Sequence, residues 1–64
     1  MRLQDFWNRM GRQFGPTYAE SVAGDHVLSG LGGRTVTQAL ADGSDAKDIW
    51  QAVCEEFDVP AQLR

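Results

Sequence analysis

The sequence has few of the residues that hold small domains together covalently or through metals. It contains one cysteine and one histidine among 64 residues. A single cysteine excludes a disulfide within the chain, and Cys54 with His26 cannot supply the four ligands of a structural zinc site. A chain of this length buries only about 60% of its unfolded surface. We therefore expect one domain, residues 1–64, that depends on helix packing, helix capping or a partner, with no metal and no cofactor.

Long apolar runs and positive charge are also scarce. No stretch approaches the ~20 apolar residues of a membrane-spanning helix, and the start, MRLQDFWNRM, lacks the continuous apolar segment of a secretory signal. Together with the unpaired cysteine, these absences predict a cytoplasmic protein with no membrane partner. Six Lys and Arg face nine Asp and Glu, which gives a net charge of −3. This balance does not fit the basic surface of most nucleic-acid-binding domains.

What the chain does have is helical spacing of its apolar residues. One amphipathic stripe consists of Leu3, Phe6, Trp7, Met10 and Phe14. Similar spacing further along predicts four helices at about 2–14, 18–30, 36–42 and 45–57, with a last turn near Leu63. No segment alternates with period two, so no strand is predicted. The predicted fold class is all-α, with four short helices packed orthogonally around one core.

Capping residues mark the predicted helix starts. Thr17 with Glu20, and Thr35 with Gln38, match the capping box in which a Ser or Thr precedes a Glu or Gln by three positions. Ser44 is the predicted N-cap of the fourth helix. These positions place short turns between all four helices.

The glycine-rich stretch DHVLSGLGGRTVTQAL, residues 25–40, requires a choice between a phosphate-binding loop and a helix joint. It fails the P-loop pattern because Leu28 stands where the first glycine belongs, Arg34 replaces lysine and a helix precedes the loop. We predict that Gly32 or Gly33 ends the second helix in a left-handed conformation. A β-ribbon, nucleotide or metal at this joint would contradict that prediction. The alternative is a modest anion site beside Arg34.

Residues that often carry chemistry fit structural roles here. His26 is predicted to be half-buried and bonded to a carbonyl or a nearby carboxylate, the alternative being a catalytic or pH-sensing imidazole. Cys54 reads as a buried small hydrophobe beside two glutamates, which favour the inert thiol. Trp7 and Trp50 read as core anchors, with an exposed recognition surface as the alternative. With no catalytic constellation, and hardly enough chain to enclose a substrate pocket, we predict that the protein is not an enzyme.

Acidic residues crowd the predicted C-terminal end of the fourth helix. Glu55, Glu56 and Asp58 lie where the helix dipole disfavours negative charge. Either Arg34 or arginines of the first helix compensate them within the fold, or this end faces a basic partner.

Three segments, MRLQDFWNRM, DHVLSGLGGRTVTQAL and IWQAVCEEFDVP, resemble a family of small actinobacterial proteins, the domain of unknown function numbered 3046. The resemblance covers nearly the whole chain and implies no established activity. It implies a stand-alone cytoplasmic protein often encoded near the general recombinase and its regulatory protein, which suggests a connection with DNA repair. It also raises Asp25, His26, Arg34 and Thr35 as a candidate functional surface.

The function favoured by these observations is a non-enzymatic protein–protein interaction module, with a link to DNA recombination and repair. Its predicted surface comprises Asp25, His26, Arg34, Thr35, Glu55, Glu56 and Asp58. The alternative is a nucleic-acid-binding accessory protein. That protein would use a helix-turn-helix-like segment formed by the last two helices, or a set of arginines, Arg2, Arg9, Arg12 and Arg34. The partner and the oligomeric state stay open.

Overall fold

The computed structural model describes residues 1–64 and contains four α-helices. They span Leu3–Phe14 (α1), Pro16–Asp25 (α2), Val36–Ala41 (α3) and Ala46–Phe57 (α4). Two strands of two residues each, Val27–Leu28 (β1) and Arg34–Thr35 (β2), and two 3-10 turns, Ser29–Leu31 and Ala61–Leu63, complete the fold. The predicted all-α class with four helices is confirmed.

The second helix begins at Pro16, two residues before the predicted start. Gly15 separates α1 from α2 with a φ of 91°, and its N–H donates to the Gly11 carbonyl oxygen at 2.8 Å. Pro16 occupies the first helical position, where its fixed φ suits the helix and its missing N–H would have no partner anyway. The predicted Thr17 capping box is therefore wrong, because Thr17 lies inside the first turn and no side chain caps α2.

The second helix also ends earlier than predicted, at Asp25 instead of near residue 30. His26 is extended, and β1 then pairs antiparallel with β2. The prediction of no strand, and of no β-ribbon at this joint, is wrong. Strands of two residues are too short to leave a period-two pattern in the sequence. The alternation is visible only in burial, since Val27 is exposed and Leu28 is buried.

The adjacent glycines close the loop between the two strands. Gly32 and Gly33 have φ of 69° and 82°, a region that residues with a Cβ rarely adopt. Gly32 is left-handed and ends the 3-10 turn, and the Gly33 N–H donates to the Leu28 carbonyl oxygen at 3.1 Å. The prediction of a left-handed glycine here is confirmed, but this glycine ends the 3-10 turn and not α2.

The third helix begins with the predicted capping box. Thr35 Oγ1 accepts from the Gln38 backbone N–H at 3.1 Å, and Gln38 Oε1 accepts from the Thr35 N–H at 2.9 Å. The predicted Ser44 cap of α4 is wrong. Asp45 takes that position and accepts from the Lys47 N–H at 3.2 Å, so the helix gains a carboxylate beside its positive N-terminal end.

The core draws on all four helices, β1 and the residues after α4. Its largest fully buried side chains are Phe6, Met10, Leu28, Ile49, Val36, Val53 and Val59. Trp50 is buried as predicted and meets Phe6 edge-on at a centroid distance of 6.2 Å, whereas Trp7 is only partly buried. Leu63 packs against the core, as predicted. Leu3 does not join the buried stripe and is 52% exposed, because residues 1–5 all lie outside the core.

Candidate docking groove

An open groove of about 380 Å³ runs along one face of α2. Tyr18, Ser21, Val22 and Asp25 line it at the i, i+3, i+4, i+7 spacing of a single helix face. At 1.5 Å per residue, the path along α2 from the first to the last of them is about 10 Å. The remaining lining residues come from the ends of neighbouring elements and are Phe14, His26 and Phe57. These seven residues define the docking groove.

Four rings follow one another through this groove. The rings of Tyr18 and Phe14 have centroids 6.5 Å apart and meet edge-on. Phe57 follows at 4.9 Å from Phe14, and His26 lies 4.7 Å from Phe57. Both phenylalanines pack against the core, whereas Tyr18 is 63% exposed, the highest value among the exposed large hydrophobic residues. The row therefore has a packed middle and an open aromatic end.

His26 links the end of α2 to the last turn of α4. Its Nε2 lies 3.5 Å from Oε2 of Glu56, and its side chain is 44% exposed. The hydroxyl of Ser29 donates to the other carboxylate oxygen of Glu56 at 3.5 Å. The predicted half-burial of His26 is wrong, because the residue is exposed. The nearby carboxylate is Glu56, at ion-pair distance, and not the adjacent Asp25.

Negative charge collects at the Asp25 end of the groove. Two helices have their C-terminal ends at the groove, α2 at Asp25 and α4 at Phe57, with Asp58 as the left-handed cap of α4. Neither helix has a basic residue in its own last turn, although Arg64 donates to the Val59 carbonyl oxygen just beyond α4. Asp25 and Asp58 form no salt bridge, and no Lys or Arg lines the groove. The site combines aromatic rings with negative potential.

The fold divides the surface predicted from sequence. Asp25 and His26 line the docking groove, and Glu56 contacts His26 but lines a different groove. Arg34 lies elsewhere, where its Nη1 is 2.5 Å from Oδ2 of Asp42. Thr35 is buried as the cap of α3 and has a structural role. Glu55 lines two other grooves and not this one.

No arginine forms a salt bridge with the acidic end of α4, although Arg9 of α1 lines the same groove as Glu55. The two salt bridges of the structure are His26–Glu56 and Arg34–Asp42. Of the three acidic residues at that end, only Glu56 has a salt-bridge partner. The other explanation from the sequence, that this end faces a basic partner, stays a prediction.

The arginines of the nucleic-acid alternative occupy separate places. Arg9 lines a second groove, Arg12 lines a third, and Arg34 is paired with Asp42. Arg2 lies just before α1 and is exposed. The fold thus distributes these positive charges over several sites.

The second groove, of about 470 Å³, is lined by three basic side chains, Arg9, Lys47 and Arg64, and one acidic side chain, Glu55. It is called the cationic groove below. The guanidinium of Arg9 and the indole N–H of Trp50 both donate to the Arg64 carbonyl oxygen. Cys54 also lines this groove and is 4% exposed. Burial raises the pKa of the Cys54 thiol, and the nearby arginines lower it by less. This agrees with the predicted inert thiol.

The aromatic row is the feature that sequence analysis missed. Phe14 and Phe57 read as members of core stripes, and Tyr18 belongs to no apolar repeat. One signal was available, since Phe14 and Tyr18 are four residues apart across the Gly-Pro junction. A helix that starts at Pro16 carries Tyr18 in its first turn, off the face that buries Ala19.

The fold and the groove define a small all-α domain with one open, acidic aromatic surface. The family model described as "Protein of unknown function (DUF3046)" matches residues 1–62, so the chain belongs to this family. The resemblance drawn from the sequence is thereby confirmed.

The chain is also similar to a protein of Mycobacterium tuberculosis (strain ATCC 25618 / H37Rv) named "Putative envelope-preserving system protein Rv2742c". The two are 46% identical over 39 residues, which is 61% of this chain and 14% of that protein. The match therefore covers a small part of a much longer relative. No solved structure matches the chain.

Two further observations bear on the class of site. No three His, Cys, Asp or Glu side chains lie together in an arrangement that could hold a metal ion. None of the helices has the length and apolar character that crossing a membrane requires.

Proposed function

We propose that the protein is a non-enzymatic interaction module that binds a partner protein through the docking groove. The observation that carries this proposal is Tyr18, a 63% exposed ring at the open end of a packed aromatic row. Tyrosine offers a large apolar area with few rotatable bonds, and it is enriched at interfaces for that reason. Burying the exposed part of this ring on a partner would stabilise a complex by about 2 kcal/mol.

The size of the groove limits what it binds. Its length along α2, about 10 Å, matches roughly three residues of extended chain. A stable interface between folded proteins buries about 800 Å² on each partner, more than such a groove supplies alone. The proposal is therefore a short segment of a partner, held in a transient complex.

The non-enzymatic part of the proposal is supported by what the groove residues do. The groove contains the three residue types of a catalytic triad, Ser21 as a nucleophile, His26 as its base and Asp25 as an orienting acid. His26 is instead paired with Glu56 from α4, and Glu56 also accepts from Ser29. No hydrogen bond joins the imidazole to the Ser21 hydroxyl, so the arrangement lacks the contact that would activate a nucleophile.

The partner is proposed in broad terms. The gene neighbourhood implied by the family resemblance favours a component of the DNA recombination and repair machinery. The name of the mycobacterial relative refers to an envelope-preserving system, and the matching segment is 14% of that protein. Identifying the bound protein would decide whether the partner belongs to DNA recombination and repair or to an envelope-preserving system.

Co-purification with matched variants tests the proposal. The tagged full chain is isolated from the cells that produce it, as wild type, Tyr18→Ala and Leu3→Ala. Leu3 is a suitable control because it is 52% exposed and lies outside the groove. We expect wild type and Leu3→Ala to enrich the same partner to a similar extent, and Tyr18→Ala to lose that enrichment. Retention by Tyr18→Ala would overturn the proposal, and recovery of DNA in place of protein would favour the nucleic-acid alternative.

A further inference from the structure

We infer that the docking groove selects a partner segment whose arginine or lysine side chain binds at the Asp25 end. This inference rests on the proposed function and adds the chemistry of the ligand. Three observations carry it: an unpaired carboxylate, two helix C-terminal ends and an aromatic row, all at one groove.

The first step concerns charge. Asp25 lines the groove and forms no salt bridge, although it is the last residue of α2 and therefore lies against the negative end of its own helix. Asp58 is the left-handed cap of α4 and follows the groove residue Phe57, but it does not itself line the groove. A cation bound in the groove would interact favourably with the Asp25 carboxylate and with the terminal carbonyls of the two helices that end there.

The second step concerns shape and polarisability. The rings of Phe57 and His26, with centroids 4.7 Å apart, lie beside Asp25, and Phe14 and Tyr18 continue the row. Ring faces attract guanidinium and ammonium groups, most often arginine. The methylene stem of such a side chain packs on apolar surface while its head stays near water, and Val22 provides that surface in the groove.

The third step concerns what the groove rejects. No Lys or Arg lines it, so an acidic segment would find neither of these side chains to pair with and would be repelled by the Asp25 carboxylate. The cationic groove differs in this respect, because its basic side chains, Arg9, Lys47 and Arg64, favour a ligand with negative charge. The sign of the charge on the ligand is therefore the property to test.

Titration of the isotope-labelled full chain, followed by amide chemical shifts, supplies the test. The probes are three pentapeptides, acetyl-Ala-Leu-X-Leu-Ala-amide, with arginine, glutamine or glutamate at X. We expect shifts of groove amides, with the arginine peptide bound about two- to fivefold tighter than the glutamine peptide and the glutamate peptide weakest. Raising salt from about 20 mM to about 300 mM should remove the preference.

Isosteric variants assign the preference to the groove. Asp25→Asn should reduce the advantage of the arginine peptide, while Asp5→Asn, which neutralises an exposed carboxylate of α1, should leave it unchanged. Equal binding of all three peptides would overturn the inference and leave the docking function standing. Absence of groove shifts with every peptide would also overturn the inference. The Tyr18→Ala co-purification would then show whether the docking function falls with it.

Discussion

The docking groove and the cationic groove differ in whether the end of the chain is bonded into them. In the cationic groove, Arg9 and Trp50 donate to the carbonyl oxygen of Arg64, whose Nε donates in turn to the Val59 carbonyl oxygen at 2.8 Å. These hydrogen bonds hold the last 3-10 turn, Ala61–Leu63, against the domain, and Leu63 packs against the core. At the docking groove the carboxylate of Asp25 has no salt-bridge partner.

The same contrast holds for the aromatic residues of the two sites. Trp50 is 3% exposed and uses its N–H within the chain, whereas Tyr18 is 63% exposed at the end of its row. Truncating a residue that completes the core should lower the free energy of unfolding substantially. Truncating a residue whose exposed surface contacts only a partner should change it little. The predictions below test this difference, starting with the largest expected effect.

Truncating the core should unfold the chain, while truncating the groove should not. Phe6 is 0% exposed, and Phe6→Ala should cost about 3–5 kcal/mol, comparable to the whole stability of a domain of this size. Tyr18→Ala should change the free energy of unfolding by no more than about 0.5 kcal/mol. Urea denaturation followed by circular dichroism measures both. A loss of about 2 kcal/mol in Tyr18→Ala would make Tyr18 a structural residue.

Releasing the tail from the cationic groove should have a smaller effect. Arg9→Gln removes the guanidinium that donates to Arg64, and we expect a loss of about 0.5–1 kcal/mol. Labelling of the buried Cys54 by a thiol reagent should become faster, because the tail packs beside it. Arg12→Gln, at a different groove, is the control and should leave the labelling rate unchanged. Equal rates in all three proteins would mean that Arg9 does not hold the tail.

Neutralising acids at opposite helix ends should shift stability in opposite directions. Asp25→Asn removes a carboxylate from the negative end of α2 and should stabilise the fold by a few tenths of a kcal/mol. Asp48→Asn removes one from the first turn of α4 and should destabilise it by a similar amount. Denaturation at low salt resolves the sign. Destabilisation by Asp25→Asn would show that this carboxylate has a partner within the fold.

The smallest expected effect on stability near neutral pH comes from the thiol of Cys54. Burial raises the pKa of Cys54 above its ordinary value, so the folded state favours the protonated thiol. This preference contributes to the free energy of unfolding. The contribution is fully present below the ordinary pKa of cysteine and is lost as pH rises above about 9. Stability should therefore fall with pH in that range, and Cys54→Ala should fall less steeply. Parallel curves for the two proteins would contradict the burial of an ionisable thiol.

Local patterns in the sequence were enough to predict much of the fold. The capping box of Thr35 with Gln38 involves residues three apart, and the stripes of α1 and α4 repeat within each helix. The ribbon could not be predicted, because the pairing of Val27–Leu28 with Arg34–Thr35 is set by the folded loop and not by a repeat. The capping box predicted at Thr17 does not form, because Pro16 is the first residue of α2 and Thr17 therefore lies inside the helix.

The candidate site was only partly predictable. The motif Asp25-His26 and the acidic residue Glu56 were singled out from sequence, and the fold brings them together. The aromatic row was not, because it joins the ends of α1 and α4 to the side of α2, which no local pattern relates. Exposure of Tyr18 is likewise a property of the packed chain and not of its neighbours in sequence.

Photocrosslinking from the groove itself tests the central claim most directly. A benzophenone amino acid replaces Tyr18 in one protein and Leu3 in another, and both are irradiated in the cells that produce the chain. Both positions are exposed, but only position 18 lies in the groove. We expect a discrete protein adduct from position 18 and none from position 3. No adduct from position 18, or the same adducts from both positions, would contradict a docking role for this surface.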